Sequence, residues 1–141
     1  MRDPLSGAQQ AVQAGDKLPE IHIALTPTGI AAAAIATRDF QPVHHDLERA
    51  HSLGNANVFL NTHATAGYLE RLVMEWAGEG AFLKSIKFRL GVPSYAGDTL
   101  VLRGEVIDAP DADGYVTVKA IGTNALGTHV EGSVTVRMPA A

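Results

Sequence analysis

The chain has 141 residues, a net charge of −4 and 46% hydrophobic residues, enough apolar material for one domain with a true core. It has no cysteine, which excludes disulfide scaffolds, thiolate zinc sites and cysteine nucleophiles and fits a reducing, cytoplasmic setting. No basic block points to nucleic acid, and no apolar run reaches the roughly 20 residues that a membrane span needs.

The first residues lack the basic start and apolar stretch of a signal peptide. Residues 1–15 are expected to form a flexible leader and 16–141 a single domain. Ile21, Ile23 and Leu25 alternate with Glu20, His22 and Ala24, a strand pattern. Thr28 is placed to cap an alanine-rich helix over 29–37. Pro42 disfavours helix at Gln41, and Asp46 is placed to cap a short helix over 47–53 that Gly54 ends.

The strongest helical signal runs over 59–77, where Leu60, Ala64, Tyr68, Leu72 and Trp76 recur every four residues. Leu69 and Val73 widen that stripe, and Gly78 supplies the stop. The period then changes to two. Ile86, Phe88 and Leu90 oppose Ser85, Lys87 and Arg89; Leu100, Leu102 and Val106 oppose Val101, Arg103 and Glu105. Turn signals at 111–114 and 124–127 separate two further strands. One buried helix followed by a four-strand antiparallel meander predicts an α+β fold with the sheet wrapped on the helix.

Within that order, the segment Ala36, Thr37, Arg38, Asp39, Phe40, Gln41, Pro42, Val43, His44, with Ala50 following, resembles the hydratase motif of the MaoC-like (R)-specific enoyl-CoA hydratases. Pro93 with Gly97-Asp98-Thr99, and Asn124-Ala125-Leu126-Gly127 leading to Val130, resemble further hallmarks of the same fold. The resemblance implies a single hotdog fold, a long central helix wrapped by an antiparallel sheet. Residues 36–46 and 86–95 look most like the small hydratase subunits of actinobacterial cholesterol side-chain degradation. That likeness implies a steroid enoyl-CoA as substrate and a larger MaoC-like hydratase subunit as partner, in a heterotetramer. Through that subunit it implies a lipid-transfer-type aldolase. No cofactor is implied, since CoA is part of the substrate.

The family motif departs at two positions, where Arg38 replaces glycine and Gln41 replaces asparagine. A third departure is at the start of the long helix, where Asn61-Thr62 stands in place of the family's His-Gly pair. A backbone N–H survives any side chain, so Thr62 retains the donor that would polarise a thioester carbonyl. Hydration of a 2-enoyl thioester needs a base to deprotonate attacking water and a donor to quench charge on the carbonyl. The resemblance gives the first role to Asp39, with His44 orienting the water, and assigns Gln41, Asn61 and Thr62 to substrate binding. The plain alternative has Asp39 capping a helix or pairing with Arg38, and His44 packed in a loop. Gln41 is balanced between donating to the water and facing solvent.

His44, His45 and Asp46 in succession are not read as a metal site, because adjacent residues rarely converge on one ion. His51, His63 and His129 are scattered. Lys84, Lys87 and Arg89 are candidates for CoA phosphates, or simply a solvated strand face. Trp76 and Tyr68 read as core. Two rival functions share the fold. A thioesterase would need a carboxylate facing the thioester from the long helix, and Glu70 and Glu75 lie beyond its N-terminal half. A non-catalytic partner subunit would not need the Asp39–His44 pair.

Overall fold

The computed structural model describes residues 11–140. Most of the expected leader lies outside them. Of its described end, Val12 packs against the core, and the Gly15 N–H donates to the Val106 carbonyl at 2.7 Å.

The elements run β1 (Ile21–Ala24), α1 (Pro27–Ala36), a 3-10 turn (Pro42–His44), α2 (Leu47–Ser52), α3 (Thr62–Ala77), β2 (Phe82–Leu90), β3 (Thr99–Asp108), β4 (Tyr115–Asn124) and β5 (Gly127–Arg137). Helix α1 starts two residues before the expected position. Thr26, not Thr28, is the cap, its Oγ1 accepting from the Gly29 N–H at 2.9 Å. Pro27 presets the first helical φ and has no N–H to lose. Asp46 caps α2 as expected, accepting from the Arg49 N–H at 3.0 Å.

Helix α3 ends at Gly78 (φ 86°) but begins at Thr62 rather than at 59. Phe59 bridges Tyr95, and the Leu60 N–H donates to the Ser94 carbonyl at 3.0 Å. Leu60 is as buried as the helical stripe it seemed to continue, so hydrophobicity alone did not separate extended chain from helix.

The five strands form one antiparallel sheet in the order β1-β3-β4-β5-β2. The expected four-strand meander is therefore a three-strand one, β3 to β5. Strand β2 pairs with β5, at the far edge from β3. The connection over 91–98 contains Gly91 and Pro93 and is too long for a tight hairpin. It crosses the end of the fold instead, where the Ala96 N–H donates to the Val58 carbonyl at 3.0 Å. Leu69, Leu72 and Val73 of α3 pack into the valines and leucines of the inner sheet face, among them Leu102, Val118 and Val134. This is the helix-in-sheet hotdog arrangement that the resemblance implies.

Gly132 holds β5 close to β2. A Cβ there would land on the Lys87 carbonyl oxygen and within 2.7 Å of Phe88 Cα. Gly132→Ala is expected to lower stability by about 1–3 kcal/mol, the usual range for overpacking, read from urea unfolding. Unchanged stability would show that the two strands separate freely.

Candidate active site

Among the described residues, the buried polar side chains are His44, Asn61, Thr65, Ser94 and His129. Their hydrogen bonds lie at one end of the fold, around the start of α3 and the segments beside it.

The chain leaves α1 through Arg38, whose φ of 58° is the only positive value at a non-glycine position among the described residues. That reversal lets the Asp39 N–H return to the Ala34 carbonyl at 2.8 Å. The Asp39 carboxylate is then steadied by the Gln41 N–H, 3.3 Å from Oδ1. Pro42 opens the 3-10 turn that delivers His44 into the interior. His44 Nδ1 lies 2.7 Å from the Phe59 carbonyl, and its ring meets the Phe59 ring edge-on at 4.9 Å. Nε2 lies 3.2 Å from Asp39 Oδ2, with side-chain exposures of 7% for His44 and 22% for Asp39. The pair thus sits in the wall, with its carboxylate reachable from outside.

The Phe59 carbonyl only accepts, so His44 Nδ1 carries a hydrogen. In the neutral ring Nε2 is then a lone pair facing a carboxylate. Two acceptors in this position suit one donor shared between them, such as a water molecule.

Asn61 is buried at the N-cap of α3, with Nδ2 donating to Thr37 Oγ1 at 2.8 Å, which ties the end of α1 to the start of α3. Its Oδ1 is buried without a partner. Thr62 is exposed at the first helical position, and its N–H meets no acceptor among the described residues. The structure therefore brings Asp39, His44, Asn61 and Thr62 to one end. The Gln41 side chain is exposed and makes no hydrogen bond among the described residues; its backbone is what engages the site.

His45 is exposed and Asp46 caps α2, so the consecutive trio diverges. Lys84 lies over the Tyr115 ring at 4.3 Å. Lys87 and Arg89 alternate with half-buried Ile86 and Phe88 and so point to the opposite face of the sheet. Glu70 and Glu75 are exposed, Glu75 pairing with Arg71 at 2.7 Å, so neither supplies a carboxylate to the buried end. Tyr68 and Trp76 pack against the core. Among the described residues no helix is long and apolar enough to cross a membrane.

Sequence reasoning missed Thr65, Ser94 and His129. His129 Nδ1 lies 2.7 Å from the Val92 carbonyl and Nε2 2.8 Å from Thr65 Oγ1. Burial pushes its pKa below the ordinary value, and the Val92 carbonyl opposes this in part. By strict alternation with Val130, Val134 and Val136 it belongs on the outer face. The ladder shifts register beside it, at Gly122/Thr123, and the crossing chain covers it through Gly91 and Val92.

A profile of the MaoC like domain matches residues 9–127. The chain belongs to the MaoC-like family. Over 124 residues, 88% of this chain and 95% of the relative, it is 46% identical to the 3-oxo-4,17-pregnadiene-20-carboxyl-CoA hydratase beta subunit of Mycobacterium tuberculosis. A chain in the crystal structure of the ChsH1-ChsH2 complex from Mycobacterium tuberculosis superposes with a TM-score of 0.85 at 46% identity, covering 89% of this chain and 97% of that one. The (R)-hydratase from A. caviae involved in PHA biosynthesis shares the fold, with a TM-score of 0.84 at 20% identity over 92% of this chain and 99% of that one.

The MaoC-like motif's glycine falls on Arg38, where the backbone is left-handed. A side chain in that conformation costs roughly 1–2 kcal/mol, most of which glycine avoids. Arg38→Gly is expected to gain about 1 kcal/mol in chemical unfolding; a loss of stability would show that the guanidinium is held by contacts that outweigh the strain.

Proposed function

We propose that this chain is the catalytic subunit of an enoyl-CoA hydratase that adds water to the 2-enoyl thioester of a steroid acyl-CoA with a shortened side chain. The observation that carries the reading is the Asp39–His44 contact at 3.2 Å, beside the open end of α3. A water between Asp39 and His44 Nε2 would donate both its hydrogens to them, leaving an oxygen lone pair for the β-carbon. Asp39 takes the proton as the C–O bond forms, and His44 stabilises the shared proton. The proton that Asp39 took is then delivered to the α-carbon as the enolate collapses, which returns Asp39 to its anion and leaves one water added across the double bond. The Thr62 N–H, with the partial positive charge of a 16-residue helix behind it, suits the thioester oxygen as it becomes anionic. Gln41, exposed beside Asp39, is assigned to the approach, and buried Asn61 to holding the helix end that presents Thr62. The reaction needs neither metal nor redox cofactor.

The steroid is supported by the relative named for a pregnadiene-carboxyl-CoA. It also agrees with the small or polar residues that open α3, of which Thr62, His63 and Gly67 are exposed. A Cβ on Gly67 would meet nothing within 4 Å.

The active assembly we infer is a heterotetramer with a larger MaoC-like subunit, as the matched complex of two different chains suggests. Strand β2 is the edge suited to the seam, nine residues long with Phe82 and Leu90 exposed at its ends. Through that partner, a lipid-transfer-type aldolase is the next component.

Asp39→Asn and His44→Ala, each assembled with the partner, are expected to lose roughly a hundredfold to ten-thousandfold in hydration while keeping the fold. Near-normal turnover by either variant removes that residue from the mechanism. In the wild type, the specificity constant for a steroid enoyl-CoA should exceed that for crotonyl-CoA, and the partner should be required for full rate. Preference for crotonyl-CoA overturns the steroid reading, and an isolated chain with full turnover overturns the heteromer.

A further inference from the structure

A buried polar chain leads from the crossing loop to the start of α3, and among the described residues none of it hydrogen-bonds to the Asp39–His44 pair. His129 Nδ1 donates to the Val92 carbonyl, since a carbonyl only accepts. The neutral ring therefore offers Nε2 as an acceptor, and the Thr65 hydroxyl, 2.8 Å away, is its donor. Thr65 Oγ1 also lies 3.2 Å from the Asn61 carbonyl, but a hydroxyl has one proton, and the shorter contact takes it. Thr65 is fully buried and His129 is 3% exposed, so neither competes for water.

Thr65 sits in the first turn of α3, with its N–H donating to the Asn61 carbonyl at 3.1 Å. Asn61 and Thr62 are the residues at which the helix opens. Asn61 gives the turn no side-chain cap, so its own residues do little to fix the end. The hydrogen bond from Thr65 to His129 is the side-chain tie between that turn and the sheet.

We propose that His129 is a positioning residue for hydration: acting through Thr65, it sets the first turn of α3 so that the Thr62 N–H meets the thioester oxygen. This rests on the hydratase reading above. A donor displaced by a fraction of an ångström still lets substrate bind but stabilises the developing oxyanion less, so the loss falls on kcat rather than KM.

The test uses the complex with the partner subunit and an enoyl-CoA that the wild-type complex hydrates. Thr65→Val, near-isosteric, and His129→Asn, which keeps a donor for Val92 but cannot reach Thr65, are expected to lower kcat by about tenfold or more with KM little changed. Thr65→Ser should restore the rate. The double variant should be no slower than the slower single one, since both cut one chain. In the Asp39→Asn background, the carbonyl stretch of a 13C-labelled bound thioester should move to higher frequency when Thr65→Val is added, which a general loss of folding would not produce.

Full kcat in Thr65→Val, losses that multiply in the double variant, or an unmoved carbonyl stretch overturns the proposal. If His129→Asn fails to assemble, the Thr65 pair and the carbonyl stretch decide. A wild-type complex that hydrates no enoyl-CoA overturns the hydratase reading and this proposal together. Turnover that survives Thr65→Val but not Asp39→Asn overturns this proposal alone.

Discussion

The hydrogen bond from His44 Nδ1 to the Phe59 carbonyl is the constraint on which the site depends. It joins a short 3-10 turn to the extended chain that precedes α3. It fixes the face of the imidazole presented to Asp39 and decides which nitrogen holds the hydrogen. Phe59 is itself held by its bridge to Tyr95 and, one residue on, by the Leu60 to Ser94 bond. Asn124 Nδ2 donates to both the Pro93 carbonyl and Ser94 Oγ at 3.0 Å, so a turn between β4 and β5 steadies the loop. The geometry of one histidine is thus inherited from elements scattered over the chain.

Polar groups gathered at one end of an apolar core carry a risk, because a buried group without a partner costs about 1–3 kcal/mol. Nearly all of these groups are paired. Thr65 and His129 satisfy each other, and Ser94 accepts from Asn124. Asn61 Oδ1 is the exception among the described residues. Its unmet acceptor and the unmet N–H groups of the first turn of α3 lie together at the helix opening. A folded chain that leaves such groups unsatisfied at one place has its stability reserve elsewhere, in the valine-rich sheet and the buried face of α3.

The sequence made strands, helix types and turn positions legible because periodicity reflects which face is buried. The short-range motif showed Asp39 and His44 for a similar reason: five residues around a proline confine both side chains. What stayed hidden was long-range. Nothing local distinguishes a strand that pairs with its successor from one that crosses to the far edge, so β2 was misplaced. Leu60 met the helical period while lying in extended chain. His129 was invisible because a register shift and a covering loop, both tertiary, turned an outward position inward. Arg38 appeared only as a departure from the motif; its left-handed backbone explains why glycine belongs there.

The two edges of the sheet are unequal. Strand β2 offers nine residues, whereas β1 offers four, between Pro19 and Pro27, neither of which can donate a backbone hydrogen bond. An added strand would find a full ladder on one side and, on the other, an edge broken at Pro19 between β1 and the 15–18 stretch that also pairs with β3. Growth by edge pairing therefore stops after one addition, and the same asymmetry that leaves room for one neighbour guards the chain against fibre formation.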